Sequence, residues 1–162
     1  MKIEILLASM FLIFAPATST SAATAHHDMV MSHGAQVMPF DLKDAMHMFT
    51  PDTKGGTVEI MVHDMDAHQI ALVREHLRIE ALKFAAGNYS DPAYIHGQDM
   101  PGLAALEVGA KQIAVRYLDT PMGGKIRFTS TGIAEVHALH QWLAAQASDH
   151  GIVRNPRCSM KM

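Results

Sequence analysis

Two similar stretches of the chain decide the fold: GGTVEI at residues 55–60 and GGKIRF at residues 123–128. After each Gly-Gly pair, apolar side chains alternate with polar ones, and this period of two predicts β-strands. The predicted elements are strands at 45–50, 57–63, 112–118 and 125–130, and helices at 67–86 and 133–150. The order strand, Gly-Gly turn, strand, helix therefore occurs twice, which indicates a duplicated ββα unit.

The duplicated unit predicts an α+β fold. Two such units combine most simply as one four-stranded antiparallel sheet with both main helices on a single face, because each helix must cover apolar sheet surface. Between the units, residues 87–102 form a long irregular segment, and Asp99 and Gly109 are suited to start and end a short helix at residues 101–108. We expect a single domain over residues 40–151, since a chain of this length can bury one core.

Charge and hydropathy argue against two classes of protein. The net charge is −3 with neutral histidines and no basic patch is present, which argues against nucleic-acid binding. Beyond the first 25 residues, no apolar run approaches the roughly 18 residues that a membrane span needs. We therefore expect a mature chain without a membrane span.

The first 25 residues have the features of an export signal. An apolar run of 11 residues, 5–15, is followed by Pro16 and then by small residues that end in ATA at 23–25. Cleavage after Ala25 is the first choice, and cleavage after Ala23 is the alternative. The sequence therefore predicts a periplasmic or secreted protein.

Cleavage at either position exposes a segment rich in His and Met. Residues 26–39 show no apolar period, so we expect a flexible arm. Cleavage after Ala25 gives His26 a free amine that chelates Cu(II) together with its imidazole, whereas a terminus at Thr24 forms a square-planar Cu(II) or Ni(II) site. The candidate copper ligands of the arm are His26, His27, Met29, Met31 and His33. The alternative is a His-rich tail that binds no metal.

Polar side chains fall on the predicted apolar faces of both main helices. On a helical wheel, His76 and Glu80 lie within the apolar face of the first helix, and Gln146 and His150 lie within that of the second. A buried imidazole or carboxylate costs free energy unless it is paired or metal-bound. The candidate metal ligands of the domain are His47, His76, Glu80, His96, Met100, His140 and His150. The alternatives are a His76–Glu80 hydrogen bond with a structural role and a charged His150 at a helix end.

Residues 152–162 form a C-terminal tail that carries Cys158, the one cysteine of the chain. A single cysteine in an exported protein forms no internal disulfide. The thiol is free, links two chains into a dimer, or binds a soft metal together with Met160 and Met162. The sequence leaves these three possibilities and the oligomeric state open.

Six short stretches carry a family resemblance: VREHLRIEA at 73–81, GNYSDP at 87–92, IHG at 95–97, MPGLA at 100–104, HQWLAAQ at 140–146 and DHG at 149–151. The chain resembles a family of small exported bacterial proteins that are often labelled aspartate carbamoyltransferase, over about residues 40–151. The resemblance implies an exported single domain and points to His47, His76, His96, Met100, His140 and His150. It does not imply the labelled activity, because the Ser-Thr-Arg-Thr phosphate-binding run of true aspartate carbamoyltransferases is absent from the sequence.

The sequence predicts a periplasmic protein that binds and handles copper, with the arm capturing ions and the domain holding a second site. Imidazole binds both copper states and thioether favours Cu(I), while Glu80 favours zinc or iron as the alternative metal. The expected partner is another periplasmic metal-handling protein. Two other hypotheses stay open: an exported enzyme in which Glu80 orients His76 as a general base, and a metal-independent binding module. The sequence contains no familiar catalytic motif.

Overall fold

The computed structural model of the protein describes residues 19–150, with side chains from Thr24 onward. The helices are α1 (Ser19–Val37), α2 (Ala67–Ala85), α3 (Ser90–His96), α4 (Leu103–Gly109) and α5 (Ile133–Asp149). The strands are β1 (Ala45–Asp52), β2 (Gly55–Val62), β3 (Ala114–Thr120) and β4 (Gly123–Thr129), and a single 3-10 turn, Ala110–Gln112, follows α4. Every predicted strand and main helix is present, and the predicted short helix is α4.

The four strands form one antiparallel sheet in the order β1-β2-β4-β3. Each unit contributes one hairpin, and the second strands of the two hairpins pair at the centre of the sheet. α2 packs mainly on β3 and β4, whereas α5 packs on β1 and β2, so each long helix covers the strands of the other unit. The predicted α+β fold with a four-stranded antiparallel sheet is confirmed.

Glycines in the two Gly-Gly pairs allow the units to approach closely. A Cβ atom on Gly55 would lie 2.5 Å from the carbonyl oxygen of Phe128, and a Cβ atom on Gly123 would collide with the carbonyl oxygen of Ile60. The two contacts are equivalent. Gly55 lies five positions before Ile60 in the first unit, and Gly123 lies five positions before Phe128 in the second, so each glycine meets the corresponding residue of the other unit. A side chain at either glycine would push β2 and β4 apart. The repeated Gly-Gly pair is therefore a requirement of the central strand pairing.

Helix α2 begins where the sequence predicts it. The Asp66 carboxylate accepts hydrogen bonds from the backbone N–H groups of His68 (2.8 Å) and Gln69 (3.2 Å), and it caps the helix. The helix then buries Val73 and Leu77 on the sheet. This placement carries the polar residues of the same face toward the interior as well.

Helix α1 spans most of residues 26–39, for which the sequence predicts a flexible arm without an apolar period. α1 packs against α3 and α5, and its Val30 side chain is 2% exposed. The His33 ring stacks on Tyr94 with the centroids 4.5 Å apart, and the His33 Nδ1 lies 2.7 Å from the Tyr94 carbonyl oxygen. The contact face of α1 consists of Val30, Gly34 and imidazoles. It has no stripe of large apolar residues, so the sequence pattern does not indicate it.

Several predictions concern the two ends of the chain. Residues 1–18 hold the apolar run of the predicted export signal and residues 151–162 hold Cys158, and both segments lie outside the described residues. The predicted cleavage position after Ala25 lies within α1. Export and a Cys158-linked dimer therefore stay predictions. Within residues 19–150, no helix is both long enough and apolar enough to cross a membrane.

Candidate functional site

An interior cavity of about 50 Å³ lies between the covered sheet face and the helices α2, α3 and α5. Its walls are largely apolar, with Phe49, Ile60 and Trp142 among them. Seven polar side chains also line it: His47, His76, Glu80, Asp91, His96, Gln146 and His150. Five of the predicted site residues therefore meet at one place, although they come from β1, α2, α3 and the end of α5. We call this space the imidazole cavity.

The imidazole rings in this cavity touch one another. The rings of His47 and His150 are stacked, with centroids 4.7 Å apart and planes 12° apart. The His96 ring meets the His150 ring edge-on at 5.4 Å. Phe40 contacts both His47, at 6.1 Å, and His76, at 5.7 Å. Three imidazoles thus form a continuous group, and Phe40 bridges it to the fourth.

Burial keeps these imidazoles neutral. It lowers the pKa of His47 to about 3 and the pKa values of His76 and His150 to about 4, because desolvation disfavours the charged ring. Burial also lowers the pKa of His96, although the hydrogen bond to Asp149 opposes the shift. A neutral imidazole has one nitrogen with a free lone pair. The cavity therefore presents four neutral ring ligands or bases near pH 7.

His47 has a buried nitrogen without a hydrogen-bond partner among the described residues. Its side chain is on the covered face of β1, the residue is 8% exposed, and Nε2 is the unpartnered atom. A buried polar atom that loses water without a replacement costs about 1–3 kcal/mol. Tyr89, Thr120 and Trp142 also bury an unpartnered atom, but among these four side chains only the imidazole can offer a ring-nitrogen lone pair to a ligand.

An acidic residue that sequence reasoning missed orients His96. Asp149, the last residue of α5, places its Oδ2 2.8 Å from the Nδ1 of His96, whose side chain is 1% exposed. A carboxylate accepts only, so Nδ1 carries the hydrogen and Nε2 keeps the lone pair. Asp149 also contacts α1: its Oδ1 lies 3.1 Å from the Nε2 of His26, and its carbonyl oxygen lies 3.2 Å from the Nδ1 of His27.

Glu80 pairs with lysine instead of the predicted His76. The Lys83 ammonium donates to the Glu80 carboxylate at 2.8 Å and to Asp91 at 2.6 Å. Burial raises the pKa of Glu80 to about 7, and the hydrogen bond from Lys83 opposes the shift. The carboxylate at the cavity wall is therefore already engaged.

The other predicted ligands of the domain lie away from the imidazole cavity. The Nε2 of His140 is 2.8 Å from the carbonyl oxygen of Asp52, so this ring fastens α5 to the end of β1. Met100 is buried and lines a separate groove with His26 and Met29 of α1. His96 also lines this groove, so Met100 lies near one of the four cavity histidines, whereas His140 is not brought together with any of them.

Ligands predicted for the arm do reach the domain. His27 and Met31 of α1 line a second cavity, of about 270 Å³, and His47 and His150 line it as well. Helix α1 therefore places two of its candidate ligands next to the imidazole cavity. The sequence indicated two separate groups of ligands, but the fold makes them neighbours.

Within residues 19–150, no group of three or more His, Cys, Asp or Glu side chains is arranged so that it could hold a metal ion. For His47 and His150 the stacked geometry accounts for this result, because parallel rings direct their lone pairs side by side and not toward one point. The sequence matches no family model, no curated protein and no solved structure.

Proposed function

We propose that the protein binds a transition-metal ion, copper in the first place, at the imidazole cavity, and that it handles copper in the periplasm. The observation that carries the proposal is the convergence of four neutral imidazoles on one cavity, where His47 and His96 are buried, His76 and His150 are half-buried, and His47 has an unpartnered nitrogen. Neutral imidazole is a ligand for copper, zinc, iron and nickel. Coordination would offset the cost of burying these rings.

The donor set favours copper over the alternatives zinc and iron. Because Lys83 already pairs with Glu80, the remaining soft donors are the imidazoles and Met38 of this cavity, and Met31 lines the adjoining cavity. Imidazole suits both copper states and thioether suits Cu(I), whereas zinc and iron sites more often include carboxylate. Periplasmic export and exchange with another metal-handling protein belong to the same proposal.

Metal binding requires the imidazole stack to open. His150 follows the last residue of α5 and stacks between His47 and Phe49, at 4.7 and 5.3 Å. A turn of the His150 ring out of the stack would let its lone pair point toward the unpartnered Nε2 of His47. His96 stays fixed by Asp149, in the arrangement that commonly supports a metal-binding imidazole. We therefore expect the histidine signals in NMR spectra to shift on metal addition.

The test is metal content and thermal stability of the protein purified without an affinity tag. We expect bound copper, and a melting temperature that rises when Cu(I) or Cu(II) is added, since a ligand that binds only the native state stabilises it. The double substitution His76→Gln with His96→Gln should lower the affinity at least about 100-fold. The matched control is His68→Gln with His137→Gln, because both of these histidines are exposed.

Two results would contradict the proposal. One is a melting temperature that does not move with copper, zinc, iron or a chelator. The other is full affinity in the variant that lacks His76 and His96. Intact mass of the same sample identifies the amino terminus, and it separates a chelate at His26 from the cavity site.

A second candidate function is general-base catalysis, and the Asp149–His96 pair favours it. A carboxylate 2.8 Å from Nδ1 orients an imidazole whose other nitrogen can take a proton. Glu80, whose pKa burial raises to about 7, could exchange protons at the same cavity. Turnover by a metal-free preparation that is lost on Asp149→Asn would support this function over metal binding.

A further inference from the structure

The sheet has a second face, opposite the one that α2 and α5 cover. Successive side chains along a strand point to opposite faces, and those on the covered face include the buried residues Phe49, Ile60 and Phe128. Most of the side chains between them are exposed or half-buried. We call this second side of the sheet the open face.

The pairing of β3 with β4 places two arginines side by side on the open face. Arg116 and Arg127 are direct cross-strand partners, and the Cβ atoms of such partners are about 4.5–5.5 Å apart. Lys125 is two residues before Arg127 on β4, so it adds a third cation to the same face. We call these three residues the cationic group. Like charges at directly opposite positions destabilise a sheet, so this arrangement costs free energy in the isolated protein.

Carboxylates on the open face neutralise only part of the cationic group. The Asp52 carboxylate lies 2.7 Å from a guanidinium nitrogen of Arg127. The Glu59 carboxylate lies 3.2 Å from the Lys125 ammonium. Arg116 is exposed, and it has no ion-pair partner among the described residues. The open face therefore has a surplus of positive charge, although the whole chain has a net charge of −3.

Exposed apolar side chains accompany the cationic group on the same face. Leu118 is the cross-strand partner of Lys125, and Met46 and Met48 lie on β1. All three apolar side chains are exposed. Arginine and methionine are enriched where proteins bind one another, whereas sites for small molecules are concave. A sheet face with these residues is therefore suited to the surface of another protein.

The size and charge of the open face favour an acidic partner over a second copy of this chain. The planar fork of an arginine matches a carboxylate, so two neighbouring arginines suit a surface with paired carboxylates. A symmetric contact between two copies would bring two faces with surplus cations together. Four strands of seven or eight residues give a face of roughly 20 by 25 Å. This area is smaller than the about 800 Å² per partner of a standard interface, so it suits a transient complex.

We propose that the open face is a docking surface for an acidic protein, whose carboxylates bind Arg116 and Arg127 and whose apolar side chains cover Leu118 and the exposed methionines of β1. Binding of the partner offsets the repulsion between the two arginines. The proposal goes beyond metal binding and does not require it, so a failure of the copper proposal leaves this one standing.

The first test is an NMR titration of the metal-free, full-length, untagged protein with a peptide of about ten residues in which glutamate alternates with leucine. The control peptide has lysine in place of glutamate. The variant is Arg116→Glu. The matched control variant is Lys111→Glu, because Lys111 is exposed and lies in the 3-10 turn before β3, away from the open face.

We expect the glutamate peptide to shift the amide signals of β3 and β4. Arg116→Glu should weaken its binding at least about ten-fold, whereas Lys111→Glu should bind as the wild type does. Binding should also weaken as sodium chloride rises from about 50 to about 500 mM, because salt screens exposed charges. Equal binding by Arg116→Glu, equal binding of the lysine peptide, or no shift at millimolar peptide would overturn the proposal.

Thermal unfolding shows whether the loss of binding comes from misfolding. Arg116→Glu places an acid opposite Arg127, so we expect its melting temperature to equal or exceed that of the wild type. Should this variant not fold, Arg116→Gln removes the charge without adding a new one, and it should weaken binding in the same direction.

Two further probes test the class of partner. Vesicles of phosphatidylglycerol represent an anionic membrane, and a DNA duplex represents nucleic acid. We expect both to bind more weakly than the glutamate peptide. Tighter binding of either probe, lost in Arg116→Glu, would overturn the assignment of the open face to an acidic protein.

Discussion

The tenth residue of α2 is His76, and the tenth residue of α5 is Trp142. At the eighteenth position the order is reversed: the first unit has Phe84 and the second has His150. The two halves of the molecule therefore share a backbone plan but put different rings at equivalent positions. One set consists of Phe, Tyr and Trp rings, which we call the hydrocarbon set, and the other consists of imidazole rings.

The hydrocarbon set builds the core. Phe84, Tyr89, Phe128 and Trp142 contact one another with ring centroids 4.9–5.7 Å apart. Aromatic pairs of this kind contribute about 0.5–1.5 kcal/mol each beyond the area they bury. Tyr89 and Trp142 each bury an unpaired polar atom too, but neither atom is a ring nitrogen with a lone pair for a metal.

The imidazole set has similar spacing and a different energetic outcome. The His150 ring lies 4.7 Å from that of His47 and 5.4 Å from that of His96, yet each ring has polar atoms that lose water on burial. Counted back from the Gly-Gly pair of each hairpin, the residue of β3 that is equivalent to His47 of β1 is Val115, which is apolar. We infer that the molecule gives up stability at the imidazole set in order to place donor atoms there.

Acid should separate the two regions most strongly. Unfolded histidines bind protons near pH 6.5, whereas burial lowers the pKa of His47 to about 3 and the pKa values of His76 and His150 to about 4. Unfolding therefore takes up protons between about pH 6.5 and 4, and each histidine lowers the free energy of unfolding by up to about 1.4 kcal/mol per pH unit. We expect a loss of several kcal/mol in urea denaturation at pH 5 relative to pH 7.5.

Glu80 provides the control for this pH dependence, because its titration has the opposite sign. Its folded pKa is raised to about 7, so its contribution to stability is present at acid pH and is lost as the pH rises through that value. The substitution Glu80→Gln should therefore make the loss toward acid pH steeper. A flat stability profile between pH 7.5 and 5 would show that the histidines are not buried as neutral rings.

Truncation of the hydrocarbon region should have the next largest effect. We expect Trp142→Ala to lower the free energy of unfolding by about 3–5 kcal/mol, since it removes a ring that is 1% exposed from the centre of the core. The equivalent change in the other unit, His76→Ala, should cost about 1 kcal/mol. Denaturant unfolding measures both, and equal losses would remove the distinction between the regions.

Replacement of an imidazole by hydrocarbon should stabilise the metal-free protein. His47→Leu removes the unpartnered buried nitrogen, and we expect a gain of about 1–2 kcal/mol in the free energy of unfolding. The same change at exposed His68 should give no gain. A loss of stability in His47→Leu would mean that Nε2 has a partner such as a bound water. We expect copper affinity to fall in this variant although its stability rises.

The smallest effect should come from the charged residues that join α3 to the two long helices. Lys83 and Asp149 are the seventeenth residues of α2 and α5, and they contact Asp91 and His96 of α3. We expect Asp149→Asn to cost about 1 kcal/mol and to speed amide hydrogen exchange in α1, because His26 also contacts this carboxylate. Lys83→Gln should leave exchange in α1 unchanged, and an equal increase in both variants would contradict the assignment.

The sequence predicted the parts of this molecule that depend on local pattern. The period of two around the Gly-Gly pairs predicted the strands, because alternation is a property of neighbouring residues. Helix α1 was missed because Gly34 and imidazoles supply much of its contact face. The burial of His76 and Glu80 was indicated by their place on the helical wheel.

The contacts within the site depend on the tertiary fold, so the sequence could not supply them. Asp149 and His96 are 53 residues apart, and no local pattern links an acid at the end of one helix to a histidine at the end of another. His140 lies on the flank of an apolar face, which makes it a candidate ligand, but its partner is the carbonyl oxygen of Asp52. The sequence indicates which side chains are candidates for the site, but it does not indicate which of them pair with one another.

The reciprocal glycine contacts at the centre of the sheet have a consequence for how the chain folds. Each hairpin is local and forms early, whereas β2 and β4 pair across a long sequence separation, as at Val58 and Ile126. Until they pair, each half presents an open strand edge that fits the other half. The complementary half of a second molecule fits that edge equally well, since Gly55 and Gly123 would make the same contacts between two chains as they make within one. Concentrated refolding should therefore yield dimers that have exchanged halves.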